Sequence, residues 1–346
     1  MRVDFFPTKG NFYKANLHCH TTLSDGCATP EEVKKAYMEK GYSIVAYTDH
    51  QMCYVHDELA DENFLPITSY EADINQYVPE KPIYSHTKVC HLNLYAKDKD
   101  NAALVNPLLN RMELWNKRKG RPEGYIQKYH GQLMTEEEYS QEYINDFIKA
   151  ANENGFLVCL NHPSWSLENF HDYDKLTGLW AMEIVNGSCE VGGYLEDNTH
   201  IYDRMLRHGK KLFPVCSDDN HNRFGFELPD GDSFGGFTVI RAQKLEYNTI
   251  MKALENGDFY CSAGPAFEEA YYEDGKVYVK CSPVRSIRLL NEGRDAPVKI
   301  APKGELITEA VFDVDPGFVG KFIRVDIRDA EGHLANTKPL YMSDLI

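Results

Sequence analysis

His18 and His20 are separated by a single residue in the run ANLHCH (15–20). In an extended strand, residues two apart share a face, so both imidazoles project one way while Leu17 and Cys19 project the other. Such a pair can hold a metal ion or a purely structural hydrogen bond, and its company decides between the two. Asp25 follows in the next loop, Asp49-His50 comes where SIVAYT ends, and Glu71 ends LPITSYE. His91 lies inside KVCHLNLYA, His162 follows GFLVCLN, and Ser217-Asp218-Asp219-Asn220-His221 ends KLFPVC. Imidazoles and carboxylates thus recur at or near the C-terminal ends of one apolar run after another. Unrelated structural histidines would scatter over helices and both strand ends, so the placement points to a shared metal site.

The runs that carry these residues alternate with helical patterns. In ATPEEVKKAYMEKG, Thr29 suits an N-cap, Pro30 the first helical position, Glu32 a capping box and Gly41 the C-terminal stop. Comparable helical patterns cover 135–154 and 196–208. Strand–helix–strand alternation predicts a mostly parallel sheet, and in a parallel α/β barrel the strand ends converge on one face, where active sites form. Two segments depart from the alternation. Residues 71–91 carry a Pro-containing turn and read as a hairpin excursion, and 97–134 read as an inserted helix and loop segment over one end of the barrel. After about residue 263 the pattern becomes strands and turns, with Asp274-Gly275 as a hairpin signal, which predicts a small all-β module.

Taken in order, NLHCHTTLSDG, AYTDH, a Glu-ended strand, a His-bearing strand, NHP and SDDNH resemble the motifs of the polymerase-and-histidinol-phosphatase (PHP) superfamily over residues 14–262. The C-terminal module is similar to that of the carbaryl-hydrolase-like metallohydrolase branch. The resemblance implies a distorted (β/α)7 barrel over residues 1–262, followed by a sandwich-like β domain over 263–346. It also implies a trinuclear metal site. His18, His20, Glu71 and Asp219 would hold one ion; Glu71, His91 and His162 a second, with Glu71 bridging; Asp25, His50 and His221 a third. Other members carry a histidine where this chain has Asp25. The family's Asp-x-His spacing selects Asp219 and leaves Asp218 as a supporting group or an alternative ligand.

The chemistry of the set leads the same way. Imidazoles mixed with carboxylates suit two to three divalent transition metals, Zn, Mn or Fe, better than Mg or Ca, which prefer all-oxygen shells. Such a site clamps phosphoryl oxygens and activates a bridging hydroxide, so the expected activity is hydrolysis of a small phosphorylated molecule. A metallohydrolase of carboxylic or carbamic esters and a non-catalytic metal-stabilised module are the alternatives. Beyond the ligands, Arg223 can reach a phosphate or remain a solvated loop residue, and Asn186 can line the pocket or cap a turn. His56 and His200 are candidate proton donors that equally suit structural roles. Tyr125, Tyr129 and Trp165 are aromatics that could flank a base or aryl group, with core packing as the default.

Composition narrows the partners. The 346 residues carry a net charge of −16, which repels a phosphate backbone and argues against a standing nucleic-acid partner. The local basic segment 111–121 then reads as a solvated face. No apolar run is long enough for a membrane-spanning helix, and the N-terminus lacks a signal-like apolar core, so the chain reads as a cytoplasmic protein. Nine scattered cysteines without a Cys-x-x-Cys pair read as reduced packing residues.

Overall fold

In the computed structural model, residues 2–80, 84–122, 124–194, 197–227, 231–315, 317 and 320–345 are described. The chain opens with a short strand β1 (Arg2–Asp4), then β2 (Asn11–Asn16) and helix α1 (Pro30–Glu39). The α1 capping residues act as their types require. Thr29 Oγ1 accepts from the Glu32 amide at 3.2 Å, the Glu32 carboxylate accepts from the Thr29 amide at 2.8 Å, and Gly41 leaves the helix at φ +78°. Next come β3 (Tyr42–Tyr47), β4 (Leu65–Asn75) and β5 (Val89–Ala96).

The inserted segment holds β6 (Leu104–Val105), helix α2 (Leu109–Arg118) and β7 (Tyr129–His130). Helix α3 (Gln141–Glu153) starts later than the pattern from 135 suggested, because Ser140 supplies the N-cap hydroxyl to the Tyr143 amide. There follow β8 (Phe156–Leu160), α4 (Phe170–Tyr173), β9 (Ala181–Asn186), α5 (Gly187–Val191), α6 (Thr199–Arg207) and β10 (Phe213–Ser217). The 196–208 pattern is α6, and Glu196 lies outside the described residues.

An eighth long strand that the sequence reading did not single out, β11 (Phe237–Ala242), pairs with β2, and after helix α7 (Tyr247–Asn256) β12 (Phe259–Ser262) pairs with β11. The strand order is β10-β9-β8-β5-β4-β3-β2-β11-β12. At the far ends of the run from β10 to β11, the Thr238 hydroxyl donates to the Cys216 carbonyl at 3.1 Å. The expected parallel sheet is realised only in two arcs, β2-β3-β4 and β8-β9-β10. The hairpin between β4 and β5 reverses the chain, so β5 runs antiparallel to both neighbours, as does β11 to β2.

The C-terminal strands β13 (Phe267–Glu273), β14 (Lys276–Val284), β15 (Ser286–Asn291), β16 (Val298–Ile300), β17 (Ile307–Asp313), β18 (Phe322–Arg328), β19 (Leu334–Thr337) and β20 (Leu340–Tyr341) form two layers. One layer is a four-stranded sheet, β1-β13-β14-β17; the other continues the large sheet through β12-β19-β18-β15-β16. Between them lies a core that includes Phe5, Phe6, Phe267, Val279, Ile287, Val325 and Ile327. Residues 2–6, at the start of the unit drawn over 1–262, pack with the C-terminal strands. A strand edge is completed by whichever segment reaches it, whatever its distance in sequence.

Arg324 of β18 anchors this module to α6. Its fully buried guanidinium donates to Asp203 at 2.8 and 3.0 Å and also to Asn336. Arg324→Ala leaves Asp203 and Asn336 without their donor, and we expect a loss of about 3–5 kcal/mol in chemical denaturation. A midpoint within error of the unchanged chain would show that the pair contributes nothing to docking. All nine cysteines are free, and all but Cys27 are buried. No helix among the described residues is long and apolar enough to cross a membrane.

Candidate metal centre

The histidines of the first motif lie just past β2, where Cys19 bridges to Asn220, and they keep the alternation of the strand. Leu17 and Cys19 enter apolar clusters while both imidazoles are buried against Glu71 and Asp219. His18 Nε2 stands 3.2 Å from His20 Nε2, 3.1 Å from Asp219 Oδ1 and 3.3 Å from Glu71 Oε1. Glu71 is central. Its Oε1 lies 3.1 Å from His91 Nδ1 and 3.4 Å from His162 Nε2, and its Oε2 lies 3.1 Å from His50 Nδ1 and 3.3 Å from His20 Nε2. Asp25 faces His20 Nδ1 at 3.5 Å, His221 Nε2 at 3.6 Å and His50 Nε2 at 3.8 Å.

All nine candidate ligands thus meet in one place. Donor atoms of eight of them form three groups, each within 4.8 Å: His20, Asp25, His50 and His221; His18, Glu71 and His162; His18, His20 and Asp219, while His91 joins through Glu71 Oε1 at 3.1 Å. The third set implied by the resemblance gains His20, because that ring lies between Glu71 and Asp25.

The geometry fits a cation. His18 Nδ1 lies 2.7 Å from Glu183 Oε1, which leaves its buried Nε2 facing the nitrogen and oxygen atoms of the cluster. Converging lone pairs repel unless positive charge lies among them. Ligands about 2.0–2.2 Å from one tetrahedral ion lie roughly 3.3–3.6 Å apart, close to the 3.0–3.4 Å separations around His18, His20 and Glu71. The protonation equilibria of these groups follow from the same field. Burial alone lowers His18 and His162, yet Asp219, Glu183 and Glu71 outweigh it and raise them to about 10 and about 9. Burial opposes ionisation of Glu71, Asp219 and Asp25, but the imidazoles hold all three well below the ordinary carboxylate range.

The two adjacent aspartates have different roles. Asp218 turns away from the cluster, accepting from the Tyr37 hydroxyl at 2.7 Å and the Phe234 and Gly236 amides at 2.9 and 2.8 Å. The close approach at Gly236 requires glycine, since a Cβ there would lie 2.4 Å from the Ser217 carbonyl oxygen. Asp219, at φ +54°, turns inward. Asp49 accepts from the amides and hydroxyls of Thr21 and Ser24 and so shapes the loop that carries Asp25.

Asn186, His56 and His200 are not among the described residues that line the cleft. Asn186 is fully buried and lines no pocket: its amide donates to Glu183 and Asp219 at 3.1 Å, and its oxygen caps α5 at the Cys189 amide. His56 packs against Tyr47 and pairs with Glu58, away from the cleft. His200 sits exposed on the first turn of α6. Arg223 does line the cleft, and Trp165 stands edge-on to His162 with ring centres 4.9 Å apart. Tyr125 and Tyr129 are partly exposed and do not line it.

The sequence reading missed Glu183, in the middle of the apolar β9. Its carboxylate binds His18, the His162 amide at 3.1 Å, Asn186 and the Ser217 hydroxyl. A lone acid in an apolar strand was the available signal, since a buried carboxylate requires partners. Asn161, which donates to Glu71 Oε1 at 2.7 Å, and Trp115, stacked on His50 at 5.7 Å, were also missed.

The PHP domain model matches residues 16–213, more than half of the chain. Among solved structures, the chain is similar to a two-domain protein from Bacteroides vulgatus containing a predicted PHP-like metal-dependent phosphoesterase, at 14% identity, TM-score 0.41, over 97% of this chain and 98% of that one. It is also similar to a proposed metal-dependent phosphoesterase from Bifidobacterium adolescentis, at 16% identity, TM-score 0.37, over 62% and 89% of the two chains. An amidohydrolase from Chromobacterium violaceum with bound sulfate and no metal aligns at 15% identity, TM-score 0.36, over 60% and 87%. No curated protein matches. Since the domain match takes in the ligand motifs from His18 to His162 and spans most of the sheet that positions them, the chain belongs to the PHP domain family.

Proposed function

We propose that the protein is a metal-dependent phosphoesterase that hydrolyses a small phosphorylated molecule, using two to three Zn, Mn or Fe ions. The observation that carries this reading is the convergence of three donor groups, joined through Glu71, His18 and His20, at the floor of a cleft of about 520 Å³. Divalent ions held there supply Lewis-acid activation of water and neutralise charge on phosphoryl oxygens. The chain's own part is to hold the donors. Asn161 orients Glu71, Asn186 orients Asp219, and Glu183 fixes the His18 ring. Arg223 at the cleft mouth offers a guanidinium to a phosphoryl oxygen. A small substrate also accords with the net charge of −16, which disfavours long polyanions.

The test is metal content of the purified chain, followed by turnover of matched aryl phosphate and aryl acetate before and after chelation. Phosphate turnover is expected to vanish on chelation and return with metal. Ester turnover without phosphate turnover would favour a carboxylic or carbamic ester hydrolase instead. Bound metal with neither activity would favour a metal-stabilised scaffold.

A further inference from the structure

The floor of the cleft is ionic, but large apolar side chains stand in its upper walls. Phe224 is 77% exposed, Val191 49% and Tyr194 43%, and all three line the cleft together with Trp165. They come from three separate connections, those after β8, β9 and β10, with Val191 ending α5, so their meeting at one mouth is a property of the tertiary fold. Leaving large apolar side chains in water around a polar site is unfavourable unless a ligand covers them.

The polar groups of the same walls are few. Asp232 already accepts from the His221 and Asn222 amides, at 2.7 and 3.0 Å. Asp25, Glu71 and Asp219 face the histidines. Among the described lining residues, Arg223 and the hydroxyls of Ser188 and Tyr194 are what remain for a polar leaving group. A polyol would leave most of its hydroxyls unpaired against this surface, whereas a flat ring would meet Phe224, Tyr194 and Trp165 with its faces and edges.

We propose that the mouth of the cleft, built by Phe224, Tyr194, Val191 and Trp165, is a subsite for an uncharged aryl group on the leaving alcohol of the phosphoester. This rests on the phosphoesterase reading and deepens it. In the reaction, water forms a new P–O bond as the ester P–O bond breaks, and a water proton ends on the departing aryl-bearing oxygen. Covering the ring contributes equally before and during bond breaking, so its loss appears in KM more than in kcat.

The metal-loaded full chain is assayed with 1-naphthyl phosphate and glycerol 2-phosphate. We expect kcat/KM to favour the naphthyl ester by at least about tenfold. In Phe224→Ala and Tyr194→Ala that ratio falls about three- to tenfold, through KM, whereas Ile300→Ala, an exposed site on the distant module, leaves the ratio unchanged. Equal ratios in the wild type and all variants overturn the subsite while leaving the phosphoesterase reading intact. If the wild type turns over neither phosphate, that reading falls, and calorimetry with 1-naphthylphosphonate against methylphosphonate decides the subsite alone. At least tenfold tighter naphthyl binding, weakened in Phe224→Ala, supports it, and equal affinities overturn it.

Discussion

In a Glu71→Gln variant, bound metal falls below about one ion per chain and turnover drops by at least about a thousandfold. Five imidazoles lie within 3.4 Å of this one carboxylate, and both of its oxygens are used. Glutamine keeps the size and one acceptor oxygen but removes the charge and puts an N–H group among nitrogen lone pairs. Glu71 is buried and held ionised by His91, His18 and His50, so no nearby solvent compensates its loss. Metal analysis of the variant, together with circular dichroism to establish folding, is the check. A folded Glu71→Gln protein that retains two or more ions would remove Glu71 from the centre of the site.

The second large effect lies one layer behind the ligands. Glu183→Gln is expected to weaken metal binding by about 10–100-fold, measured by competition with a chromophoric chelator. Glu183 holds the His18 ring through Nδ1, and through the His162 amide it steadies a residue at φ +21°, a conformation non-glycine residues adopt at a cost. Through Asn186 it also reaches Asp219. One carboxylate thereby sets three ligands that arrive on three different strands. With cobalt as a probe, the visible spectrum of the loaded variant should shift, because the donor geometry changes and not only the affinity. Wild-type affinity and spectrum in a folded variant would reduce Glu183 to a packing residue.

The difference between Glu71 and Glu183 shows how far the sequence could be read. Glu71 stands at the end of an apolar run in company with His-x-His and Asp-His motifs, so its type and place carried information. Glu183 sits among Ala181, Met182, Ile184 and Val185, and its role depends on His18, 165 residues away. The same limit applied to Asn186, whose partner Asp219 is 33 residues on, and to His56 and His200, whose exposure or local pairing no spacing could reveal. The α1 cap was legible because Thr29 and Glu32 lie three residues apart and match a local signature. The reversal at β5 and the return of residues 2–6 to the C-terminal core were not, because sheet edges accept any strand that reaches them.

By itself, then, the sequence supplied the candidate donor residues, their order along the chain and the local helix and turn signals, and hence the class of metal chemistry proposed for this chain. Those properties depend on residue type and on periodicities of two and 3.6 residues, which are local. Tertiary structure alone decided which carboxylate holds the His18 ring and which aromatics stand together at the cleft mouth. Each of these is a contact between segments brought together by burial of separate apolar faces, and burial depends on the whole chain rather than on any one stretch of it.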